Sequence, residues 1–449
     1  MYVFKQNKRA FYRIAMSDGN YDSKYEALLL IAVFFGWAVS ATDIVLNAFL
    51  IDQITKAFHI SVALFGLIGI MFGVGDGIGG FIFGKIDDTT WGRKLTFLTT
   101  LVGVMIFTAM SGLAINYPMF LISRLGAGIF SGGEMTAGWV ILAEQVRTGK
   151  RSWYISFSQG GVAVGYFLAD TFAGTFAAAS ALGWRAGFLA NAAFGFAAYL
   201  IRIAIKESPS WEKIMSVKKT KGEGATIKQG VREIFSGQYR NITLLAFIGL
   251  AAAFFGTAFH DYYYEDWYLI GGITRSPLPA FTFTIVFYGF VLGHFVANAT
   301  EGWFMDHIGT RKASMITLAT VPALIAFWFV PIKISPVIDF IILFFVGYSV
   351  QTIWGFAPAY MPQIYPTRIR HSGEGFLWAL TYGLFYSIAA YIGGIWIALN
   401  EWNLVFISSI ICFIIYVVTM STTALELKDK PLDFTEQLAS TESKRKNVS

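Results

Sequence analysis

Twelve apolar stretches, each long enough to cross hydrocarbon, follow one another through this 449-residue chain and leave few folds open to it. They lie near 27–52, 61–84, 94–114, 119–146, 151–178 and 184–206, then near 241–265, 280–302, 312–332, 336–362, 372–398 and 402–424. About 20 largely apolar residues span a bilayer as a helix. Inside hydrocarbon every backbone N–H and C=O needs a partner within the protein, and a helix supplies one segment by segment. The ten-residue alternating segments of a membrane β-barrel do not occur in the sequence. Only 14% of the residues are charged, against about 25% in a soluble domain. The sequence predicts an all-α membrane protein with twelve transmembrane helices.

The basic residues predict its orientation. Of 34 Lys and Arg, 28 fall in the two tails, the even-numbered connections and a central segment. Lys85, Arg93 and Lys94 form one such cluster; Arg147, Lys150 and Arg151, then Arg311 and Lys312, then Arg368 and Arg370 form the others. By the positive-inside rule both termini are cytoplasmic, in a multi-pass protein of the cell membrane. The net charge of +6 and the pI near 9.1 are then topology signals, with the lipid bilayer as partner and no nucleic acid. The expected organisation is a cytoplasmic tail over 1–26, a six-helix bundle over 27–206, a linker over 207–240, a second bundle over 241–424 and a tail over 425–449. A short surface helix is expected at 227–235, and the C-terminal tail is expected to be disordered. The polar, basic first 24 residues have no signal-peptide pattern. The single Cys412 rules out an intrachain disulfide.

One loop occurs twice. Gly84-Lys85-Ile86-Asp87-Asp88-Thr89-Thr90-Trp91-Gly92-Arg93-Lys94 returns 218 residues later as Gly302-Trp303-Phe304-Met305-Asp306-His307-Ile308-Gly309-Thr310-Arg311-Lys312. A shift of 219 also places Arg151 on Arg370. Two bundles related by an axis along the membrane normal produce this pattern. Gly84 and Gly302 permit close packing, Asp88 and Asp306 can face a helix N-terminus or an Arg, and Arg93, Arg151, Arg311 and Arg370 stay on the cytoplasmic side. These residues form the expected gate.

The repeated loop resembles that of the major facilitator superfamily, Gly-x-x-x-Asp-x-x-Gly-Arg-Arg/Lys, after helices 2 and 8. The second copy keeps that spacing with Thr310 in place of the first Arg; the first copy has one extra residue between Asp88 and Gly92. The resemblance covers residues 27 to 424 and implies two pseudo-symmetric six-helix bundles. Arg124-Leu125-Gly126-Ala127-Gly128 through Glu134 resembles the fourth helix of organic-anion and metabolite symporters. Gln159-Gly160-Gly161-Val162-Ala163-Val164-Gly165 is similar to the fifth helix of the sialate/monocarboxylate proton-symporter branch. Glu207-Ser208-Pro209-Ser210-Trp211 and Tyr365-Pro366-Thr367-Arg368-Ile369-Arg370 fit several branches. The resemblance implies proton-coupled uptake of a small organic anion by alternating access, in a monomer, with the proton as coupling ion and no cofactor.

Ionisable groups inside spans cost about 2.5–3.5 kcal/mol each at a helix centre and default to functional candidates. The candidates taken from among them are Asp43, Asp76, Arg124, Glu134, Asp170, His260, Asp261, His294 and Glu301. At about 1.5 Å of rise per residue, Asp43 on helix 1 and Arg124 on helix 4 lie within about 4–5 Å of the same depth. Arg keeps its charge, so protonation of Asp43 would release Arg124 to hold a substrate carboxylate. Proton symporters of the resembled family use such a pair; the alternative is a static ion pair. The 218-residue shift relates Asp43 to Asp261 and Asp76 to His294, so these four are expected to line a central cavity as proton-coupling groups. His260-Asp261-Tyr262-Tyr263 is similar to the seventh helix of the monocarboxylate branch, with Tyr264 where Pro is usual. For His260 an interfacial aromatic-belt position is the alternative. Gln159, Gln351, Trp354 and Tyr382 complete the expected substrate-binding set with Arg124, His260, Asp261 and Tyr262. Glu134 and Glu301 are expected to form structural or gating salt bridges with Arg151, Arg311 or Arg370 rather than to touch substrate.

Other functions find little support in the sequence. It has no Gly-x-Ser-x-Gly and no His-Glu-x-x-His, so neither an enzyme nor a metal site is expected. A nutrient receptor would need a longer signalling tail. Sugar–proton symport or uniport remains the alternative within transport, with Gln159, Gln351 and Asn298 as amide ligands.

Overall fold

The computed structural model describes residues 22–177, 180–221, 232–269, 280–329 and 335–435. Twelve long helical segments appear among them, one for each predicted span. The first half contains α1 (Ser23–Phe49), α2 (Val62–Ile86), α3 (Arg93–Gly112), α4 (Tyr117–Gln145), α5 (Arg151–Ser158 continuing as Gly161–Thr171) and α6 (Trp184–Ile203). The second contains α7 (Gly237–Leu269), α8 (Ala280–Ile308), α9 (Thr310–Ser314 through Thr320–Phe329), α10 (Pro336–Tyr360), α11 (Arg370–Trp378 through Ser387–Ala398) and α12 (Trp402–Thr423). Eight helices among the described residues are long and apolar enough to cross a membrane. Large apolar side chains such as Ile122, Ile203, Phe345 and Val418 stay outside the protein core, as lipid-facing positions should.

Local chemistry sets the helix starts. Ser61, Asn116 and Ser335 accept hydrogen bonds from Leu64, Met119 and Ile338 N–H, and Pro118 and Pro336 follow in the first turn. Three irregularities interrupt the helices. The extra residue in the first loop is absorbed by a π-helical turn, Asp87–Trp91, which restores the geometry before Gly92. Helix α5 breaks at Gln159-Gly160. Helix α11 widens into a π-helical stretch over Ala379–Tyr386.

Helix α2 packs on α4 and α11, α1 on α5 and α6, and α8 on α5 and α10. The two halves therefore meet along α2–α11 and α5–α8. We call the side carrying the repeated loops the basic face. Two expectations change there. The linker is helical over Pro209–Lys221, while most of 227–235 lies outside the described residues. The tail is ordered through 435: Leu427 and Phe434 are buried, because Asp433 and Glu426 find partners in the loops.

Candidate functional site

On the basic face the repeated loops clasp opposite halves in the same way. Asp88 accepts the Ser372 N–H at 2.7 Å, at the start of α11. Its repeat mate Asp306 accepts the Trp153 N–H at 2.9 Å and the Ser152 N–H at 3.3 Å, at the start of α5. Each carboxylate thus meets free N–H groups and the positive end of a helix dipole. A Cβ added to Gly84 would stand 2.5 Å from the His371 carbonyl oxygen, and one added to Gly302 would stand 2.1 Å from that of Ser152. Glu207 and Glu426, again 219 residues apart, cap the helices that follow the loops: Glu207 accepts Arg93 N–H at 3.0 Å and Glu426 accepts Thr310 N–H at 2.7 Å. Gly92 and Gly309 turn the chain there with φ of 81° and 95°, a region that favours glycine.

The cations differ between copies. Arg93 is fully buried. It donates to Asp87 at 2.9 Å, Asp88 at 2.7 Å, both oxygens of Glu144 at 3.0 and 2.8 Å, and the Thr367 carbonyl of the other half at 2.9 Å. Arg370 also holds Glu144, together with Asp433 and the Pro362 carbonyl. His371 bridges Asp87 and Thr136. Arg311, by contrast, donates only to the Ala424 carbonyl within its own half among these contacts. Arg151 reaches the Lys430 carbonyl and Thr148.

Midway through the first half, Asp43 and Arg124 are both fully buried and paired through two guanidinium nitrogens. Thr108 donates to the Asp43 carboxylate at 2.8 Å, and Arg124 also reaches Ser111 at 3.3 Å. Phe72 and Phe188 cover the guanidinium. All of these partners lie in the first half. The repeat mate of Asp43, Asp261, holds no cation among the described residues. It accepts from Gln351 of α10 and from the Tyr386 hydroxyl of α11 at 3.0 Å.

An aromatic ladder links the halves. Trp139 of α4 meets Trp378 edge-on at 4.9 Å; Trp378 stacks on Tyr382 at 4.4 Å; Tyr382 lies 4.8 Å from Tyr386; and Trp354 packs against Tyr382 at 5.2 Å. The π-helical turn of α11 brings Tyr382 and Tyr386 to the same side, a recurrent use of such bulges at functional sites. Asp76 accepts from the Trp378 indole N–H at one end of the ladder, and Asp261 closes the other. His294, the repeat mate of Asp76, faces Tyr166 of α5 with ring centres 6.4 Å apart. Gln159, at the break in α5, is fully buried with Oε1 unpartnered. The structure thus brings Asp76, Asp261, Gln351, Trp354 and Tyr382 to one ladder, with Trp378 and Tyr386 as its further rungs.

Several expected contacts are replaced. Glu134 pairs with Arg202 of α6 and accepts from Ser40, far from the gate cations, because Arg202 projects into the same bundle interior. Among the described residues Glu301 forms no salt bridge, and both its oxygens lack a hydrogen-bond partner. His260 turns away from the ladder to the Ser409 hydroxyl of α12 at 2.6 Å, beside Trp328 and Phe413. The Tyr262 side chain lies outside the described residues. Asp170 accepts from Tyr288 across the halves at 2.8 Å, on the side opposite the basic face. Arg202 and Glu144 lie within predicted spans and carry charge, which was the signal for both. Glu374 and His371 sit at the expected start of span 11, where a loop position hid their burial.

Comparison with known proteins supports this architecture. The chain is 29% identical over 346 residues to the inner membrane metabolite transport protein YhjE of Escherichia coli, covering 72% of this chain and 75% of the relative. It is 24% identical over 352 residues to the sialic acid transporter NanX of Escherichia coli, covering 78% and 82%. A solved structure of the proton:xylose symporter XylE shares the fold, with a TM-score of 0.71 at 14% identity over 93% of this chain and all of that one. The Major Facilitator Superfamily profile matches residues 28–371. The chain belongs to the Major Facilitator Superfamily and is a membrane transporter of metabolites, not an enzyme.

Proposed function

We propose that the protein takes up a small organic anion, a monocarboxylate or a sialic acid, together with protons across the cell membrane, as a monomer with its basic face in the cytoplasm. The observation that carries this reading is the buried Asp43–Arg124 pair. An ionised pair in that position is held together because neither charge tolerates isolation in a medium of low dielectric. Protonation of Asp43 removes one charge and frees the Arg124 fork, whose planar geometry suits a carboxylate. Asp43 gives back its proton when the substrate leaves, and the pair re-forms. The relationship to a sialic acid transporter supports a carboxylate substrate.

The test is uptake into proteoliposomes of labelled lactate, pyruvate or sialic acid under an inwardly directed acid gradient. Accumulation by the wild-type protein and its loss in Asp43→Asn are expected. Gradient-driven accumulation that survives in Asp43→Asn would refute the assignment. A sugar–proton symporter is the second reading, favoured by the amide–aromatic surroundings of Gln351, Trp354 and Tyr382; uptake of a labelled hexose or pentose with no response to the acids would select it.

A further inference from the structure

Helix α8 carries a polar stripe that the mechanism above does not use. His294, Asn298 and Glu301 recur at i, i+4 and i+7, the spacing of one helical face, and all three are buried. Among the described residues both His294 ring nitrogens, both amide atoms of Asn298 and both carboxylate oxygens of Glu301 lack a hydrogen-bond partner. Six buried polar atoms without partners on one face are far from the rule that buried polar groups are satisfied. An ionised carboxylate left so would cost several kcal/mol, so such groups bind a counter-ion or a proton.

The surroundings specify which. On α5, Ser156 donates its hydroxyl to the Asn298 carbonyl at 2.6 Å. On α10, Gly355 leaves room for Glu301, whose Cβ would lie 2.8 Å from an added Cβ there. The ionisable groups whose fields reach Glu301 are Tyr348 of α10 and Tyr416 of α12. Toward the membrane centre, Tyr166 of α5 faces His294. Toward the basic face, Asp306 follows on the same helix and clasps Ser152 and Trp153. No basic side chain is paired with Glu301 among the described residues. A sodium site inside a membrane helix draws on carbonyls freed by unwinding; α8 is helical throughout Ala280–Ile308, and the Asn298 carbonyl is already engaged.

We infer that the His294–Asn298–Glu301 face of α8 is a second proton-binding site, with Glu301 the carboxylate that takes the proton and the Asp306 clasp its barrier to the basic face. When α5 and α8 part, water reaches Glu301 and the proton leaves for that side; when they close, the carboxylic acid is sealed in without a net charge. This rests on the proton-coupled reading above and adds a carrier in the second half to Asp43 in the first.

The test uses the full-length protein in proteoliposomes, with dicyclohexylcarbodiimide, a reagent for protonated carboxyls in apolar surroundings, and mass spectrometry of the peptide holding residue 301. Labelling of Glu301 is expected to rise on acidification, to be the same in Asp43→Asn, and to be indifferent to sodium. In Glu301→Gln, acid-gradient-driven accumulation is expected to be lost, with recovery in Glu301→Asp. Protection of Glu301 by sodium, absence of labelling at acid pH, or wild-type accumulation by Glu301→Gln would each overturn the site. If the wild-type protein accumulates no acid substrate, the transport reading fails, while the labelling still decides whether Glu301 binds a proton.

Discussion

The loops after α2 and α8 are written in almost the same residues, yet one is a locked cluster and the other a simple clasp. Both use their glycine and aspartate alike: Gly84 and Gly302 let the opposite half approach, and Asp88 and Asp306 cap its helices. The difference lies around the arginine. Arg93 finds Asp87, Asp88 and Glu144 within reach, whereas position 305 is Met and Arg311 turns to a carbonyl. Duplicated sequence thus fixes where the halves touch, and the unduplicated acids decide how strongly. The first loop has the stronger lock.

The largest effect should come from the arginines. Arg93→Ala leaves three buried acids without a shared cation, a loss of about 3–5 kcal/mol for a broken buried pair. Arg311→Ala removes one hydrogen bond to a carbonyl, about 1 kcal/mol. Thermal unfolding of the purified variants should separate them clearly; equal losses would break the contrast between the loops. Next come the glycines. Gly84→Ala and Gly302→Ala place a methyl group against a backbone carbonyl, at about 1–3 kcal/mol each, and both should shift the transporter toward opening on the basic face. Spin-label distances across that face would read the shift; an unchanged distribution in either variant would remove that contact from the gate.

A smaller effect follows from pH. Helix α8 carries Asp306 beyond the expected end of its span at 302, and burial pushes this carboxyl up to about 6. In the open state it regains the ordinary value, about 3.9, so the closed clasp binds the proton more tightly. Acidification through about 6 therefore favours the closed clasp, and raising the pH through it favours opening. The spin-label distance should show this dependence, and Asp306→Asn should flatten it; the same titration surviving in Asp306→Asn would assign it elsewhere. The smallest effect is that of Asp433→Asn. Its pair with Arg370 has a half-exposed carboxylate, and such pairs are worth up to about 1 kcal/mol. A larger loss of stability would mean the tail is a full member of the first lock.

Much of this was legible in the residues because hydrocarbon is an exacting solvent. Twelve spans follow from length and apolarity alone, and the two-loop repeat announces two bundles. Asp43 and Arg124 could be matched by depth, since a helix converts residue number to height at a fixed rise. What side a residue faces is another matter. The sequence set Glu134 toward the gate, but rotation about α4 gives it to Arg202. It set His260 beside Asp261, yet adjacent helical residues point about 100° apart, and His260 meets Ser409. It left the tail loose, where Asp433 and Glu426 complete the loops.

The sequence by itself determined the solvent, the number of crossings, the duplication and the contact points of the halves, because each depends on composition or spacing along one chain. Only the tertiary structure decided which acid met which cation, that Asp261 would have an amide and a phenol where Asp43 has an arginine, and that Glu301 would have no hydrogen-bond partner among the described residues. Those outcomes depend on helix rotation and on neighbours distant in sequence, and a buried charge takes its character from its nearest few ångströms.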